Sequence, residues 1–316
     1  MNRKDRARER REKRRQEICF LRSIPYSDHQ RWWTSDTIAV VTGGNRGIGF
    51  EIARQLGTHG LTVILTSRDT TLGLEAARFL RDGGLKVEFH QLDIVDPSSI
   101  DVFCTWLKEH YGGLDILINN AGVNFNVGSE NSVEHAETVI KTNYYGTKNI
   151  IKAAIPLVRL SASCGSQIVN VSSRLGRLNG RRNRIGNVEL RSKLENIETL
   201  SEELIDHTLN TFLEQVKDGT WELRGWPQVF TDYSMSKLGV NALTRLMTRE
   251  LEHSSSGQQK ICMNCCCPGW VKTGMTGWEG NILPEEAADT AVWLALHPDL
   301  SSVSGKFFAE RREIGF

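Results

Sequence analysis

From Thr37 onward, short apolar runs alternate with segments of helical periodicity. The runs are rich in Val, Ile and Leu on both faces, which is typical of strands that are covered on both sides. Seven strands are predicted, over residues 37–42, 61–67, 86–93, 114–120, 167–173, 260–267 and 305–310. Helices are predicted near residues 47–59, 70–82, 97–110, 133–154, 233–253 and 284–297. The alternation indicates an α/β fold, a doubly wound parallel sheet with helices on both faces.

Composition narrows the class of protein. The 316-residue chain has 39% hydrophobic and 24% charged residues, a composition that excludes a disordered or rod-like protein. Its net charge of +1 argues against a nucleic-acid-binding protein, which would usually be more basic. No apolar stretch approaches the roughly 18 residues of a membrane span, and the first residues lack the apolar core of a secretory signal, so we expect neither. Seven cysteines without a disulfide-framework spacing are typical of reduced thiols. We expect a cytoplasmic protein without a membrane partner.

Residues 1–22 differ in charge from the rest of the chain. They hold ten basic and four acidic residues, a net charge of +6, so the other 294 residues carry −5. This basic head has no apolar stripe, and we expect a solvated tail or a frayed helix, with a nuclear-localisation patch or an RNA- or membrane-surface-binding patch as the alternative. The predicted organisation is a basic extension and linker over 1–35, whose Trp32 and Trp33 pack on the body, and one domain over 36–316.

The first predicted strand ends in a glycine-rich turn, TGGNRGIG at 42–49, which leads directly into a predicted helix. Glycines permit a tight turn and a close approach of the backbone to a phosphate, which binds the unpaired N–H groups at the start of the helix. The position between a strand and a helix therefore predicts a nucleotide-binding turn rather than a plain glycine turn.

Four more motifs follow at the ends of later strands or at a helix start. They are NNAG at 119–122, VSS at 171–173, YSMSK at 233–237 and CPG at 267–269. In this order, the five motifs resemble the short-chain dehydrogenases/reductases over residues 37–316. The LTSRD and CCPGWVKT stretches, with 59 residues between Ser173 and Tyr233, resemble the long carbonyl reductase, menthol dehydrogenase and salutaridine reductase group. The resemblance implies a Rossmann fold with a helical insertion at about 174–232.

Tyr233 and Lys237 are i and i+4 on one predicted helix face, so the ammonium can lie beside the phenol. A nearby cation is expected to lower the pKa of the phenol from about 10 and make it a usable proton donor. The resemblance assigns Tyr233 and Lys237 to catalysis, adds Ser173 rather than Ser172 as the hydroxyl that binds the carbonyl oxygen, and adds Asn143 as holder of a water near Lys237. A helix-capping or surface role is the alternative for Asn143.

The end of the second strand bears on the choice of cofactor. An acid there would favour NAD, but the position is Ser67, and Arg68 with Arg46 can form a cationic pocket for the 2′-phosphate of NADP(H). Asp69 is the competing NAD residue, and we expect it to start the next helix instead. The cofactor contacts implied by the resemblance are Gly43, Asn45, Arg46, Gly47, Ile48, Gly49, Arg68, Asp93, Ile94, Asn120, Tyr233, Lys237, Val271, Lys272 and Thr273.

The insertion carries its own helical signal. A capping box is predicted at Thr199–Glu202, followed by the apolar stripe Leu204, Ile205, Leu209, Phe212, Leu213 and Val216, which must pack on something. Large apolar residues lead back to the site, and each either packs in the core or lines a substrate pocket: Trp221, Trp226, Pro227 and Phe230. A cluster of arginines either steers an anionic cofactor or is solvated: Arg174, Arg177, Arg181, Arg182 and Arg184.

No metal site is predicted. Cys262 and Cys265–Cys267 lie in one buried strand, where alternate side chains point to opposite faces, and no second ligand pair follows. The eight histidines show no metal-binding or triad spacing.

These observations predict a monomeric, NADPH-dependent carbonyl reductase that converts an apolar aldehyde or ketone to its alcohol. One alternative is oxidation of a terpenoid alcohol such as a menthol isomer. The other is a cofactor-binding protein with a vestigial site and a partner-binding head. The monomer is expected because, by resemblance, the insertion covers the helices through which many family members associate.

Overall fold

The computed structural model describes residues 3–24, 27, 30–126, 131–159, 165–181, 183–254, 261–298 and 303–316. Cys164, Arg182 and Lys260, which enter the sequence predictions, lie outside the described residues.

The described strands form one sheet in the order β3-β2-β1-β4-β5-β6-β7-β8. Their bounds are β1 (Ile38–Val41), β2 (Thr62–Ser67), β3 (Val87–Gln91), β4 (Ile116–Asn119), β5 (Ser166–Val171), β6 (Ile261–Cys266), β7 (Phe307–Ala309) and β8 (Arg312–Ile314). The seven predicted strands pair in parallel. β8 was missed: it pairs antiparallel with β7 through a tight turn at Glu310 and Arg311, with φ of 55° and 56°. Such turns favour Asn and Gly, so Glu310 and Arg311 did not indicate a hairpin.

The described helices flank the sheet. Their bounds are α1 (Arg3–Ser23), α2 (Gly47–Thr58), α3 (Thr70–Asp82), α4 (Pro97–Tyr111), α5 (Ala136–Ile140), α6 (Thr147–Ala154), α7 (Val188–Glu195), α8 (Glu202–Lys217), α9 (Thr231–Ser254) and α10 (Pro284–Ala295). The single helix predicted over 133–154 is wrong, because a π-helical turn at Lys141–Gly146 separates α5 from α6. Such turns are common at functional sites, and this one carries Asn143.

One apolar cluster lies on each face of the sheet. Along β1, Ile38 and Val40 belong to one cluster, whereas Ala39 and Val41 belong to the other. Successive side chains of a strand point to opposite faces, so a strand buried on both sides must be apolar throughout. The predicted α/β fold with helices on both faces is confirmed.

The insertion contributes α7 and α8. Helix α8 begins two residues later than predicted, and the predicted capping box does not form: Ser201 is the cap and accepts a hydrogen bond from the Leu204 N–H at 3.1 Å, while the Thr199 hydroxyl donates to the Lys193 carbonyl. From the predicted stripe, Ile205, Leu209 and Phe212 are fully buried, and Leu204, Leu213 and Val216 pack against the same core.

Polar contacts also hold α8 on the body. Lys148 of α6 is buried and forms ion pairs with Asp206 at 2.7 Å and with Glu202 at 3.2 Å. The Tyr144 hydroxyl donates to Asp206 at 2.6 Å. Because burying a lysine is costly unless it is paired, this network specifies how α8 sits on α6.

Of the two forms expected for the basic head, a solvated tail or a frayed helix, the structure has a helix, α1, which contacts the body. Arg14 is 9% exposed and donates to the main-chain oxygen of Glu310, and Arg15 forms an ion pair with Glu286 at 3.0 Å. Exposed ion pairs contribute only about 0–1 kcal/mol each, so these contacts hold the head weakly.

The two tryptophans of the linker pack on the body, as expected. Trp33 is 3% exposed and its Nε1 donates to the His59 carbonyl at 3.1 Å, whereas Trp32 is half-buried. Across the part of the chain that the structure describes, no helix is both long and apolar enough to cross a membrane.

Candidate active site

The site lies where the chain reverses its direction across the sheet. After β1 the chain adds β2 and β3 on one side, and it then returns to place β4 on the other side of β1. The carboxyl ends of β1 and β4 therefore border a crevice, the usual ligand position in such sheets. Thr42 joins the two loops there, because its Oγ1 accepts hydrogen bonds from the N–H groups of Asn120 and Ala121, both at 3.0 Å.

The glycine-rich turn fits a dinucleotide. A Cβ built on Gly49 would lie 2.3 Å from Asn120 Nδ2, so this position needs glycine. Asn120 Nδ2 donates to the main-chain oxygens of Thr42 and Gly43, both at 3.0 Å, and thereby fixes the turn. The cap residue of α2, Arg46, makes no side-chain capping bond. The first N–H groups of α2 thus remain available for a phosphate.

The end of β2 favours a 2′-phosphate. Asp69 is the cap of α3 and accepts a hydrogen bond from the Leu72 N–H at 2.9 Å, as expected when it starts the helix. The side chains of Arg46 and Arg68 are exposed, and within the described residues neither forms an ion pair with a carboxylate. Both guanidinium groups can therefore bind a phosphate.

The other predicted cofactor contacts lie on loops that border the crevice. Thr273 follows β6 and faces the glycine-rich turn, since a Cβ built on Gly47 would lie 3.3 Å from its Cγ2. Val271 is buried, and the main chain around it pairs with Ile282, whereas Lys272 is exposed. Three more contacts are half-buried: Asn45, Ile48 and Asp93. Ile94 is buried and packs against Gly146 of the π-helical turn.

Two of the four predicted catalytic residues, Asn143 and Lys237, border Gly122. A Cβ built on Gly122 would lie 3.1 Å from Asn143 Oδ1 and 3.8 Å from Lys237 Nζ. Lys237 is buried, its Nζ lies 5.6 Å from the Tyr233 ring centroid, and it donates to the Val171 carbonyl at 2.8 Å. Ser173 follows β5, and its hydroxyl lies close to that of the half-buried Tyr233.

The Asn143 side chain is engaged with the protein. Its Oδ1 accepts from the Val123 N–H at 2.7 Å, and its Nδ2 donates to the Val123 carbonyl at 2.9 Å and to Ser236 Oγ at 3.0 Å. The alternative surface role is wrong, because Asn143 is fully buried. A water near Lys237 would therefore bind the main chain of Asn143 rather than its side chain.

Burial dominates the electrostatics of the site. It lowers the pKa of the Lys237 ammonium to about 8. It also raises the pKa of the Tyr233 phenol, and the hydrogen bond with Ser173 opposes this rise. This direction is opposite to the lowering expected from Lys237, because burial of the phenol disfavours the charged phenolate. The phenol is thus protonated at neutral pH, the form that can donate a proton.

Comparisons with known proteins show which family the chain is similar to. A family model described as short chain dehydrogenase matches residues 37–184. Carbonyl reductase [NADPH] 1 of Homo sapiens is 40% identical over 278 residues, which cover 87% of this chain and 96% of that protein. Salutaridine reductase from Papaver somniferum superposes with a TM-score of 0.77 at 37% identity, over 86% of this chain and 99% of that one. Menthone neomenthol reductase from Mentha piperita superposes with a TM-score of 0.71 at 33% identity, over 87% of this chain and 98% of that one.

This chain belongs to the short-chain dehydrogenase/reductase family. The membership predicted from the five motifs is confirmed, and with it the oxidoreductase class. Salutaridine reductase and menthone neomenthol reductase belong to the group that the long insertion indicated.

Sequence reasoning left the role of the aromatic residues before Tyr233 open. Trp226 is a core residue, since its ring lies 5.6 Å from that of Phe212 and its Nε1 donates to Gln215 at 2.8 Å. Phe230 instead stacks on Trp270 beside the site, with ring centroids 6.2 Å apart. Phe230 has a φ of 45°, which is unusual for a bulky residue.

Two predicted clusters have structural roles. Arg177 donates to the Gly315 carbonyl at 2.7 Å and Arg174 lies 3.8 Å from Glu310, so both contact the C-terminal hairpin, whereas Arg181 and Arg184 are exposed. The β6 cysteines are buried in the sheet. Within the described residues, no group of three His, Cys, Asp or Glu side chains is placed to hold a metal.

Because its ammonium is buried, Lys237→Met is expected to stabilise the cofactor-free protein by up to about 3 kcal/mol at pH 7. The folded pKa lies below the unfolded one, so the unfolded chain binds more protons between pH 8 and about 10.4, and the wild type gains stability there as pH rises. The advantage of the variant should therefore shrink above pH 8. Denaturant unfolding at pH 7 and 9.5 measures this, with exposed Lys108→Met as control. A variant less stable than wild type at pH 7 would contradict it.

Proposed function

We propose that this protein uses NADPH to reduce an aldehyde or ketone to the corresponding alcohol. The observation that carries the proposal is the meeting of Ser173, Tyr233 and Lys237 beside a phosphate-binding turn that has two unpaired arginines near it. The relatives named as NADPH carbonyl reductases support the same cofactor and reaction. The cofactor is NADP(H), and the partner is a small carbonyl compound.

Each catalytic side chain has a distinct task. NADPH, when bound, supplies a hydride to the carbonyl carbon. The Tyr233 hydroxyl donates its proton to the carbonyl oxygen, and the Ser173 hydroxyl hydrogen-bonds to the negative charge that develops there. The Lys237 ammonium stabilises the phenolate that remains, since opposite charges attract strongly in a dry site. Asn143 holds Val123 and Ser236, and so keeps the walls of the site in place.

The surface beside Tyr233 indicates an apolar substrate. Phe230 and Trp270 stack there, and Trp270 is 38% exposed. Two further apolar side chains close to Trp270 in the chain are also exposed: Met275 and Trp278. Apolar walls with a few polar groups at the reacting atom are typical of small-molecule sites.

The reverse reaction, oxidation of a terpenoid alcohol, is the second candidate. It is favoured by the similarity to a menthone neomenthol reductase, a protein of cyclic monoterpene chemistry by its name. A vestigial site is disfavoured, because the residues expected for proton transfer are present and close together.

A turnover screen tests the proposal. NADPH oxidation is measured by absorbance with medium-chain aldehydes, cyclic monoterpene ketones and quinones, and NADP⁺ reduction is measured with the matching alcohols. We expect turnover with at least one carbonyl. Cofactor binding without turnover in either direction would instead support the vestigial site.

We also propose a cytoplasmic monomer whose basic head is dispensable for activity. The stripe on α8 is buried on α9 and α6, and this occupies a face that an associating subunit would need. Cys265, Cys266 and Cys267 are free thiols buried in the core, which fits a reducing compartment.

Light scattering at micromolar concentration is expected to give the mass of one chain, both for the full protein and for a chain that begins at Gln30. The shorter chain keeps Trp33, because Trp33 is part of the core. A dimer mass for both chains would contradict the covering role of α8, and a dimer for the full chain alone would give the head a structural role.

A further inference from the structure

The loop after β4 is tied to the helix turn that carries Tyr233. Tyr233 is the third residue of α9, so its position depends on where α9 begins. The Thr231 N–H donates to Asn131 Oδ1 at 2.7 Å, and Asn131 Nδ2 donates to Thr231 Oγ1 at 2.9 Å. An amide from a different loop thus satisfies the first backbone donor of the helix.

The next residue, Asp232, accepts a buried hydrogen bond from the same loop. Asn126 Nδ2 donates to Asp232 Oδ1 at 2.7 Å, and the same oxygen accepts from the Tyr233 N–H at 2.6 Å. Asn126 is 5% exposed and Asp232 is 1% exposed. Asn126 cannot turn over, because its Oδ1 accepts from the Ser132 N–H at 2.7 Å. One buried amide therefore fixes the carboxylate that fixes the Tyr233 backbone.

The far end of the same helix turn is held as well. Asn143 Nδ2 donates to Ser236 Oγ and to the Val123 carbonyl. The short segment from Val123 to Asn126 is thus bound near both ends of the turn that carries the phenol. Neither Asn126 nor Asp232 contacts the phenol itself, so any effect on the chemistry must pass through the backbone of Tyr233.

We propose that the buried Asn126–Asp232 pair positions Tyr233, by setting the start of α9 and thereby the place of the phenol relative to Ser173 and Lys237. This rests on the proposed function. Burial raises the pKa of the Asp232 carboxyl, and the hydrogen bonds from Asn126 and the Tyr233 N–H oppose that rise. A buried carboxylate is costly without such donors, so loss of Asn126 should displace Asp232 and the residue after it.

The test exchanges the Asn126 amide and the Asp232 carboxylate. Asn126→Asp sets two carboxylates against each other, and we expect kcat to fall about 10- to 100-fold while the KM for NADPH stays within about threefold. The double variant Asn126→Asp, Asp232→Asn restores an amide–carboxylate pair and should recover wild-type kcat within about threefold. The control is Asn179→Asp, which faces Glu195 across an exposed 2.6 Å hydrogen bond and should leave kcat unchanged.

Hydrogen exchange of the peptide that contains Tyr233 gives a readout that needs no substrate. We expect faster exchange in Asn126→Asp and wild-type exchange in the double variant. If the wild type reduces no carbonyl, the proposed function fails and exchange still decides the positioning role. Unchanged kcat and exchange in Asn126→Asp, or a double variant that does not recover, would overturn the inference. If Asn126→Asp does not fold, Asn126→Ser, which removes the donor without adding charge, should lower kcat about tenfold and speed exchange, and no change would overturn it.

Discussion

Tyr233→Phe is expected to fold, to bind NADPH and to lose about 10²- to 10⁴-fold in kcat for carbonyl reduction. The change removes the hydroxyl that donates the proton and keeps the ring that packs in the site. Steady-state kinetics with the best carbonyl of the screen, together with NADPH binding by fluorescence titration, measures both parts.

The matched control for this variant is Tyr111→Phe. Tyr111 lies at the end of α4, outside the site, and its substitution should leave kcat unchanged. Carbonyl reduction by Tyr233→Phe within twofold of wild type would show that another group donates the proton. Loss of NADPH binding along with turnover would point to a structural defect instead.

NADPH is expected to be preferred over NADH by about 10²-fold or more in kcat/KM, because Arg46 and Arg68 each make a charge-assisted bond to the 2′-phosphate worth about 1.5–3 kcal/mol. Arg68→Asp should narrow or reverse the preference, since it removes one cation and sets a carboxylate against the phosphate. The carboxylate would also suit the free ribose hydroxyls of NADH. Initial rates with both cofactors below saturation measure the ratio.

Arg78→Asp is the control for the cofactor experiment. Arg78 lies on α3, the helix that follows Arg68, and its side chain is 80% exposed. Arg78→Asp therefore changes the net charge as much as Arg68→Asp does, without changing the phosphate-binding pocket. Equal kcat/KM for NADPH and NADH in the unmodified protein would refute the roles of both arginines. A preference that survives Arg68→Asp intact would leave Arg46 as the main contact.

The sequence predicted the seven parallel strands and the residues at their carboxyl ends because both depend on short stretches of chain. A strand buried on both faces is apolar throughout, and a turn such as that at Gly47 and Gly49 leaves a local pattern. The motifs around Asn120, Ser173 and Tyr233 follow strands or open a helix, so the fold places them at one edge of the sheet.

Features that depend on distant parts of the chain were not predictable. The π-helical turn around Asn143 keeps the apolar periodicity of a normal helix, and β8 follows a turn without the usual residues. The pKa of Tyr233 was predicted with the wrong direction, because i, i+4 spacing shows the nearby cation and does not show the burial.

For this protein, the sequence alone determined the fold class and the family, and it predicted a nucleotide-binding turn and a set of catalytic residues, since each depends on local patterns of residue type and spacing. Only the tertiary structure decided which oxygen accepts the hydrogen bond from each buried donor. Asn126 and Asp232 are 106 residues apart, and their 2.7 Å hydrogen bond exists because packing brings a loop to a helix start. Burial, unlike spacing, belongs to the folded chain as a whole, so pKa directions and the support behind Tyr233 appear only once the sheet and its helices are assembled.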